Sequence, residues 1–322
     1  MSYNIAITSY FISTELSNPL RESYLIPYFR KIQKEHNQIL RFFAVDWWSL
    51  KSDGTIRVLD ILDNKIIDNY QVCLFHLVHI FRLGYFTTKD IPFTTKWLEF
   101  ESRLDILAKL GVSCINPVNT LKYHLSKEYL LFLQDTGLPV IPTKKLSSSL
   151  SYQDIMNECA DYFKIIKPIN GECGKLVHHI DEITYEDIKH YKNQSSHILL
   201  QPFISEIHQG EISIVYIGRK FFCAALKRPK FGNFRTNGPH VGATITKYEP
   251  SIQEINLGLM VLEILPKKLE IFRLDYVITS QGPLIMEIEA IDPSYYTTFN
   301  IMCAQRLSDF YIEYLNKGLC YE

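Results

Sequence analysis

The 322-residue chain lacks most of the features that would place it outside the ordinary globular class. It carries 34 Lys and Arg against 35 Asp and Glu, so no surplus of one sign marks a nucleic-acid footprint or a self-repelling tail. Its seven cysteines (73, 114, 159, 173, 223, 303 and 320) include no C-x-x-C pair and have no histidine cluster beside them. That predicts reduced thiols and no zinc site. No apolar run reaches the roughly 20 residues needed to span a bilayer. The nearest, YQVCLFHLVHIF (70–81), is broken by two histidines. The opening MSYNIAITSYFISTELS has no charged n-region and soon turns polar, so it does not read as a secretion signal. Internal repeats and low-complexity stretches are also missing. Together these absences predict a cytoplasmic α/β protein with neither a nucleic-acid nor a membrane partner.

What is present is a large apolar and aromatic fraction, 47% and 13%, enough for more than one core. YNIAIT (3–8) reads as a strand, LRESYLIPYFRKIQKEH (20–36) as a helix, and QILRFFAVDWW (38–48) and QVCLFHLV (71–78) as strands. TTKWLEFESRLDILAKLG (94–111) has helical spacing and stops at Gly111, and VSCIN (112–116) follows as a strand. Alternating strands and helices predict a small parallel-sheet domain over 1–116. A second unit, 117–195, holds a helix in LSKEYLLFLQDTGLP (125–139), a short strand at VIPTKKL, a helix-to-strand passage at 156–168 and the glycine loop INGECGK (169–175). The third, 196–322, is rich in strands and closes with a helix over 305–318.

FRLDYVIT and LIMEIEA flank the turn residues SQGP and should pair as an antiparallel hairpin. If the loop is symmetric about Gln281, Asp275 stands opposite Glu287, and Glu289 shares the face of Glu287. Three acids on one patch of sheet repel one another, and a divalent cation would relieve them; Mg²⁺ takes hard carboxylate oxygens together with phosphate oxygens. The competing account is a solvated sheet face, because a one-residue slip of register dissolves the cluster. A second constellation, ALKRPKFGNFRTNGPHVG (225–242), brings Lys227, Arg228, Lys230 and Arg235 into nine residues. Guanidinium forks suit phosphate oxygens, although most charge runs are solvated loops. Third, Lys167 ends the strand KIIK, and Gly171 and Gly174 follow in a loop that could approach phosphate closely without being a P-loop.

The order of these pieces resembles the ATP-grasp fold. A lysine at 127, GLPVIPT, the lysine at 167 with its glycine loop, LLQPFI, KRPKFGNFRTNG, and Asp275 with Glu287-x-Glu289 follow one another over roughly 112–300. The carboxylate–amine ligase branch, with glutathione synthetase and the ribosomal-protein glutamate ligases, is the most similar, and a subgroup that includes the cyclo-ligase forming D-cycloserine is nearer still. The resemblance implies an N-terminal parallel-sheet domain followed by the two lobes of an ATP-grasp unit. It implies ATP and two Mg²⁺ ions, with a small carboxylate and an amine, amino-acid- or peptide-like, as substrates. Lys127 and Lys167 would contact the phosphates and adenine, beside the nucleotide-binding loop of Gly171 and Gly174. Gln201, Pro202, Phe203 and Ile204 would be the hinge, and Glu211 the ribose acid. Arg228, Arg235 and Asn237 would serve acyl transfer; Asp275, Glu287 and Glu289 would hold metal.

Two positions depart from the glutathione synthetase pattern: Ser213 replaces an arginine and Glu289 an asparagine. They support a catalytically silent nucleotide-binding module as the alternative to the ligase; a small-molecule kinase that stops at the phosphorylated product is a third reading. His76 and His79 could line an acceptor pocket or simply pack. Quaternary state is open, a homodimer included.

Overall fold

The computed structural model describes residues 3–8, 26–35, 39–80, 93–159, 162–171, 174–236, 241–297, 300 and 302–318. Its first sheet has the order β4-β3-β2-β1-β5-β6. The strands are β1 (Tyr3–Thr8), β2 (Leu40–Asp46), β3 (Thr55–Asp60), β4 (Lys65–Gln71), β5 (Leu77–His79) and β6 (Cys114–Ile115). β1, β2, β5 and β6 run parallel, as the alternation of strand and helix predicts. β3 and β4 fold back as an antiparallel edge hairpin that the sequence reading did not contain.

The run QVCLFHLV is not one strand. β4 ends at Gln71, a 3-10 turn takes Val72–Leu74, and β5 starts at Leu77. The Val72 amide is spent on the Gly54 carbonyl (2.9 Å) and the His76 amide on that of Asn4 (2.9 Å), so the backbone changes partner midway. α1 (Ile26–Glu35) and α2 (Phe93–Lys109) accompany the sheet. Gly111, past the end of α2, has φ +67°, the left-handed stop that favours glycine.

After α3 (Val118–Tyr123) and α4 (Tyr129–Asp135) comes a four-stranded antiparallel sheet of order β7-β10-β8-β9. It comprises β7 (Lys144–Ser147), β8 (Ile165–Pro168), β9 (His178–His179) and β10 (His197–Gln201), covered by α5 (Tyr152–Cys159) and α6 (Tyr185–Gln194). β10 pairs with β7 and β8, so the change of sheet comes after Gln201 rather than at 195–196. The last sheet, β13-β12-β11-β14-β15, is antiparallel throughout. Its members are β11 (Glu211–Ile217), β12 (Lys220–Arg228), β13 (Thr244–Lys247), β14 (Ile271–Thr279) and β15 (Gly282–Glu289). α7 (Ile252–Ile264) packs on one face, together with Tyr129, Leu130 and Leu133 of α4. α8 (Cys303–Gly318) fills the space between this sheet and the first; Leu307 and Tyr311 share a core with Ile5, Phe42, Val215 and Ile217.

The hairpin of β14 and β15 carries the predicted register by an unforeseen route. Its turn is only two residues, Ser280 and Gln281, with Thr279 opposite Gly282. That alone would set Glu287 one residue out of step with Asp275. A one-residue bulge at Met286 restores the step, and Asp275 does face Glu287.

Candidate functional site

The middle and C-terminal sheets enclose a pocket with about 950 Å³ of space, its open mouth included. Eleven of the residues predicted for the site stand in its wall: Lys127, Lys167, Gly171, Gly174, Gln201, Pro202, Phe203, Ile204, Glu211, Arg235 and Glu287. They come from a turn, three strands, two loops, the connection between the sheets, and the far hairpin. Chain order alone cannot bring such pieces together.

Lys127 belongs to the turn ahead of α4, not to a helix, because helical structure begins only at Tyr129. Its ammonium donates to the Gly171 carbonyl and lies 3.1 Å from Glu287 Oε1. Lys167 is half-buried on β8 among these charges. Burial drives its pKa down from 10.5 to about 8, with Lys127 adding to the effect and Glu287 and Glu211 opposing it. Burial pushes the Glu287 carboxyl up, yet Lys127, followed by Lys167 and Arg273, holds it below its ordinary value despite Asp275.

Past Gln201 the chain leaves the sheet. The Phe203 carbonyl and the Ile204 amide enter no hydrogen bond among the described residues, whereas the Ile204 carbonyl accepts from Ile207 (3.1 Å). A free acceptor beside a free donor on one extended stretch suits a flat heterocycle. Apolar walls flank it: Ile141, Ile165, Phe203, Ile207, Val277 and Met286. Arg235 reaches across from the C-terminal sheet's loop, donating through Nε to the Val177 carbonyl at 3.0 Å, with its guanidinium over the Phe234 ring at 4.7 Å.

Several expectations need correction. Arg228 is exposed at the end of β12 and absent from the pocket wall; its neighbour Lys227 is buried instead, since adjacent strand residues face opposite ways. Glu211 lines the pocket but is occupied: it pairs with Lys227 directly across the β11–β12 ladder and accepts from Thr236. Burial, only partly offset by Lys227, raises its pKa. Asp275 is 1% exposed and enclosed. Arg273 binds it twice (2.8 and 2.7 Å), Ser213 donates at 2.6 Å, and Lys227 stands at 3.3 Å. Burial alone would raise its pKa, but Arg273 and Lys227 hold it far below the usual carboxylate range. Glu289 faces Arg273 across the ladder and accepts from the Ile291 and Asp292 amides, each at 3.0 Å.

Asp275 and Glu287 thus face each other across the ladder, Glu289 stands across from Arg273, and protein cations already balance the first two. Arg273 was overlooked although its signal was in the register: two residues before Asp275, it must share that face. Among the described residues, no three Asp, Glu, His or Cys side chains are grouped to hold a metal ion. Glu287 is the hard-oxygen donor the pocket presents, with Glu289 on the same strand face. That donor chemistry suits Mg²⁺ completed by phosphate oxygens and does not require Asp275. Asn237 lies outside the described residues. His79 packs: its ring nitrogens lie 2.6 Å from the Tyr311 hydroxyl and 3.1 Å from that of Tyr295, and burial lowers its pKa to about 3. His76 accepts from the Asn4 amide (2.9 Å). No helix among the described residues is long and apolar enough to cross a membrane.

Comparison with known proteins gives a family and a fold. Residues 129–302 match the RimK-like ATP-grasp domain. A probable alpha-L-glutamate ligase of Legionella pneumophila (strain Corby) is 28% identical over 163 residues, covering 50% of this chain and 53% of the relative. The ribosomal protein bS6–L-glutamate ligase of Shigella boydii serotype 4 (strain Sb227) is 24% identical over 163 residues, with the same coverage. The chain thus spans about half the length of the curated relatives it matches. Among solved structures, D-cycloserine synthetase is similar in fold with a TM-score of 0.71 at 18% identity, over 97% of this chain and 99% of that one. D-alanine–D-alanine ligase from Bacillus anthracis gives 0.60 at 12% identity, over 99% and 98%.

Proposed function

The chain belongs to the RimK-like ATP-grasp family, and on that premise we propose that it is an ATP- and Mg²⁺-dependent ligase joining a carboxylate to an amine. The observation that carries this reading is the single pocket lined at once by Lys127, Lys167, the 201–204 hinge, Arg235 and Glu287. In the proposed reaction a substrate carboxylate oxygen attacks the γ-phosphorus of ATP, and the β–γ bridging oxygen leaves with ADP. The acyl-phosphate then meets the amine, which loses a proton as phosphate departs. The acid and amine are small and amino-acid- or peptide-like, and the new amide is either intermolecular or cyclic.

Lys127 and Lys167 supply positive charge to the phosphates, and the hinge holds the base. Arg235, tied to the Val177 carbonyl just ahead of β9, would help to keep water from the acyl-phosphate, which favours the amine. Glu287, with Glu289 beside it, would hold Mg²⁺; the ion supplies charge neutralisation during phosphoryl transfer. The polar frame is set before the reaction begins, and such preorganised electrostatics are where most of the rate enhancement in this chemistry arises.

Incubation with ATP, Mg²⁺, candidate carboxylates and hydroxylamine tests the reading. Hydroxamate together with ADP is the expected result. AMP and pyrophosphate would replace it with adenylation, and a stable phosphate ester with a kinase. A nucleotide-binding module without turnover is a second reading, favoured by the enclosure of Asp275 in Arg273, Lys227 and Ser213. ATP binding with no hydroxamate from any acid would select it.

A further inference from the structure

The inner wall of the pocket carries a hydrogen-bond relay whose direction follows from counting protons. Thr143 is buried just ahead of β7. Its hydroxyl has a single hydrogen, spent on the Ile141 carbonyl at 2.7 Å. The same oxygen lies 2.9 Å from Nε2 of Gln201, so toward Gln201 it can only accept. Gln201 must therefore turn its NH₂ end to Thr143, which leaves Oε1 as the other end of the amide. Oε1 enters no hydrogen bond among the described residues, and Gln201, only 4% exposed, stands in the pocket wall. The relay is anchored behind as well, because the Thr143 amide donates to Gln134 Oε1 at 2.7 Å.

We propose that Thr143 is a positioning residue that makes this pocket select a purine with a 6-amino group over one with a 6-oxo group. The inference rests on reading the pocket as a nucleotide site. A 6-amino group has two hydrogens, and the pocket offers two unpaired acceptors, Gln201 Oε1 and the Phe203 carbonyl. A 6-oxo group would set oxygen against oxygen at a nearly buried glutamine and leave both acceptors unpaired, which costs more than a missing contact. A glutamine amide free to rotate would serve either base by turning its NH₂ inward. Thr143 removes that freedom.

Binding of Mg-ADP and Mg-GDP, measured by calorimetry, tests this without turnover. The wild-type protein should prefer ADP by about 100-fold or more, the scale of discrimination a site built around specific hydrogen bonds achieves. In Thr143→Val, which keeps the shape but loses the hydroxyl, the ADP-to-GDP ratio should fall about tenfold, chiefly through tighter GDP binding. Thr143→Ser, which keeps the hydroxyl, should restore the wild-type ratio. A melting curve on each variant shows whether the fold is intact. Equal weakening of both nucleotides in Thr143→Val, or an unchanged ratio, overturns the proposal while leaving the nucleotide site standing. Failure of the wild-type protein to bind either nucleotide overturns the reading of the pocket and this inference with it.

Discussion

Lys127 Nζ and Glu287 Oε1 stand 3.1 Å apart, joining the turn before α4 to the edge strand of the C-terminal sheet. Both line the pocket, and the pair sets the ammonium proposed to meet phosphate beside the carboxylate proposed to hold metal. Lys127 helps to hold the Glu287 carboxylate in its charged form.

Substituting Glu287→Gln should therefore separate function from stability. Both partners keep some exposure, so the ion pair itself contributes under about 1 kcal/mol. Turnover should fall about 100-fold or more, the scale lost when one charge-stabilising group is removed. ADP-release assays beside thermal melts decide it. Near-normal turnover would contradict the role given to this carboxylate.

Lys167 supplies a pH signature with two opposite slopes. Its folded pKa of about 8 lies below the ordinary 10.5, so between these values the unfolded chain holds a proton that the folded one has released. Stability from this group consequently rises with pH across that window. Nucleotide affinity should fall over the same window, because the phosphates need the ammonium charged. ADP titrations from pH 6.5 to 9.5, with a range chosen to bracket about one unit or more on each side of the folded value, should show the loss. Lys167→Arg, always charged, should flatten it.

Asp275→Asn tests the buried charge network. Removing one partner of a buried pair leaves Arg273 and Lys227 without their shared counter-ion, a loss of about 3–5 kcal/mol. Urea unfolding should show an earlier midpoint. A midpoint equal to that of the wild type would mean the network does not stabilise the sheet.

Tyr129 guards the open edge of β15. Its hydroxyl both donates to the Ile288 carbonyl and accepts from the Ile288 amide, each at 3.0 Å. On the same edge the Ile285 amide donates to the Pro139 carbonyl (2.7 Å) and its carbonyl accepts from Ile141 (3.0 Å). Tyr129→Phe leaves the Ile288 peptide unsatisfied between the two glutamates, which costs about 1–3 kcal/mol. Faster hydrogen exchange at the Ile288 amide, with weaker Mg-ADP binding, is the expected result.

Much of this protein could be read directly from residue order. β1 coincides with YNIAIT, α2 with its periodic segment, and the hairpin acids with the period-two rule, because strand alternation, helical spacing and turn residues act over a few positions. So could the pocket's principal residues, through the succession of motifs. Tertiary structure alone decided the rest. QVCLFHLV split because its amides found distant partners, and the apolar pattern does not encode those. The edge hairpin of β3 and β4 and the transfer of β10 to the middle sheet depend on which strands become neighbours. The charge balance is the clearest case. Asp275 came to face Glu287 only through a bulge at Met286, and whether metal or protein would neutralise them depended on Lys127, Lys227 and Arg273, brought there from a turn and two strands. Coulomb energy follows distance in space, and sequence specifies that distance only within an element or across a hairpin.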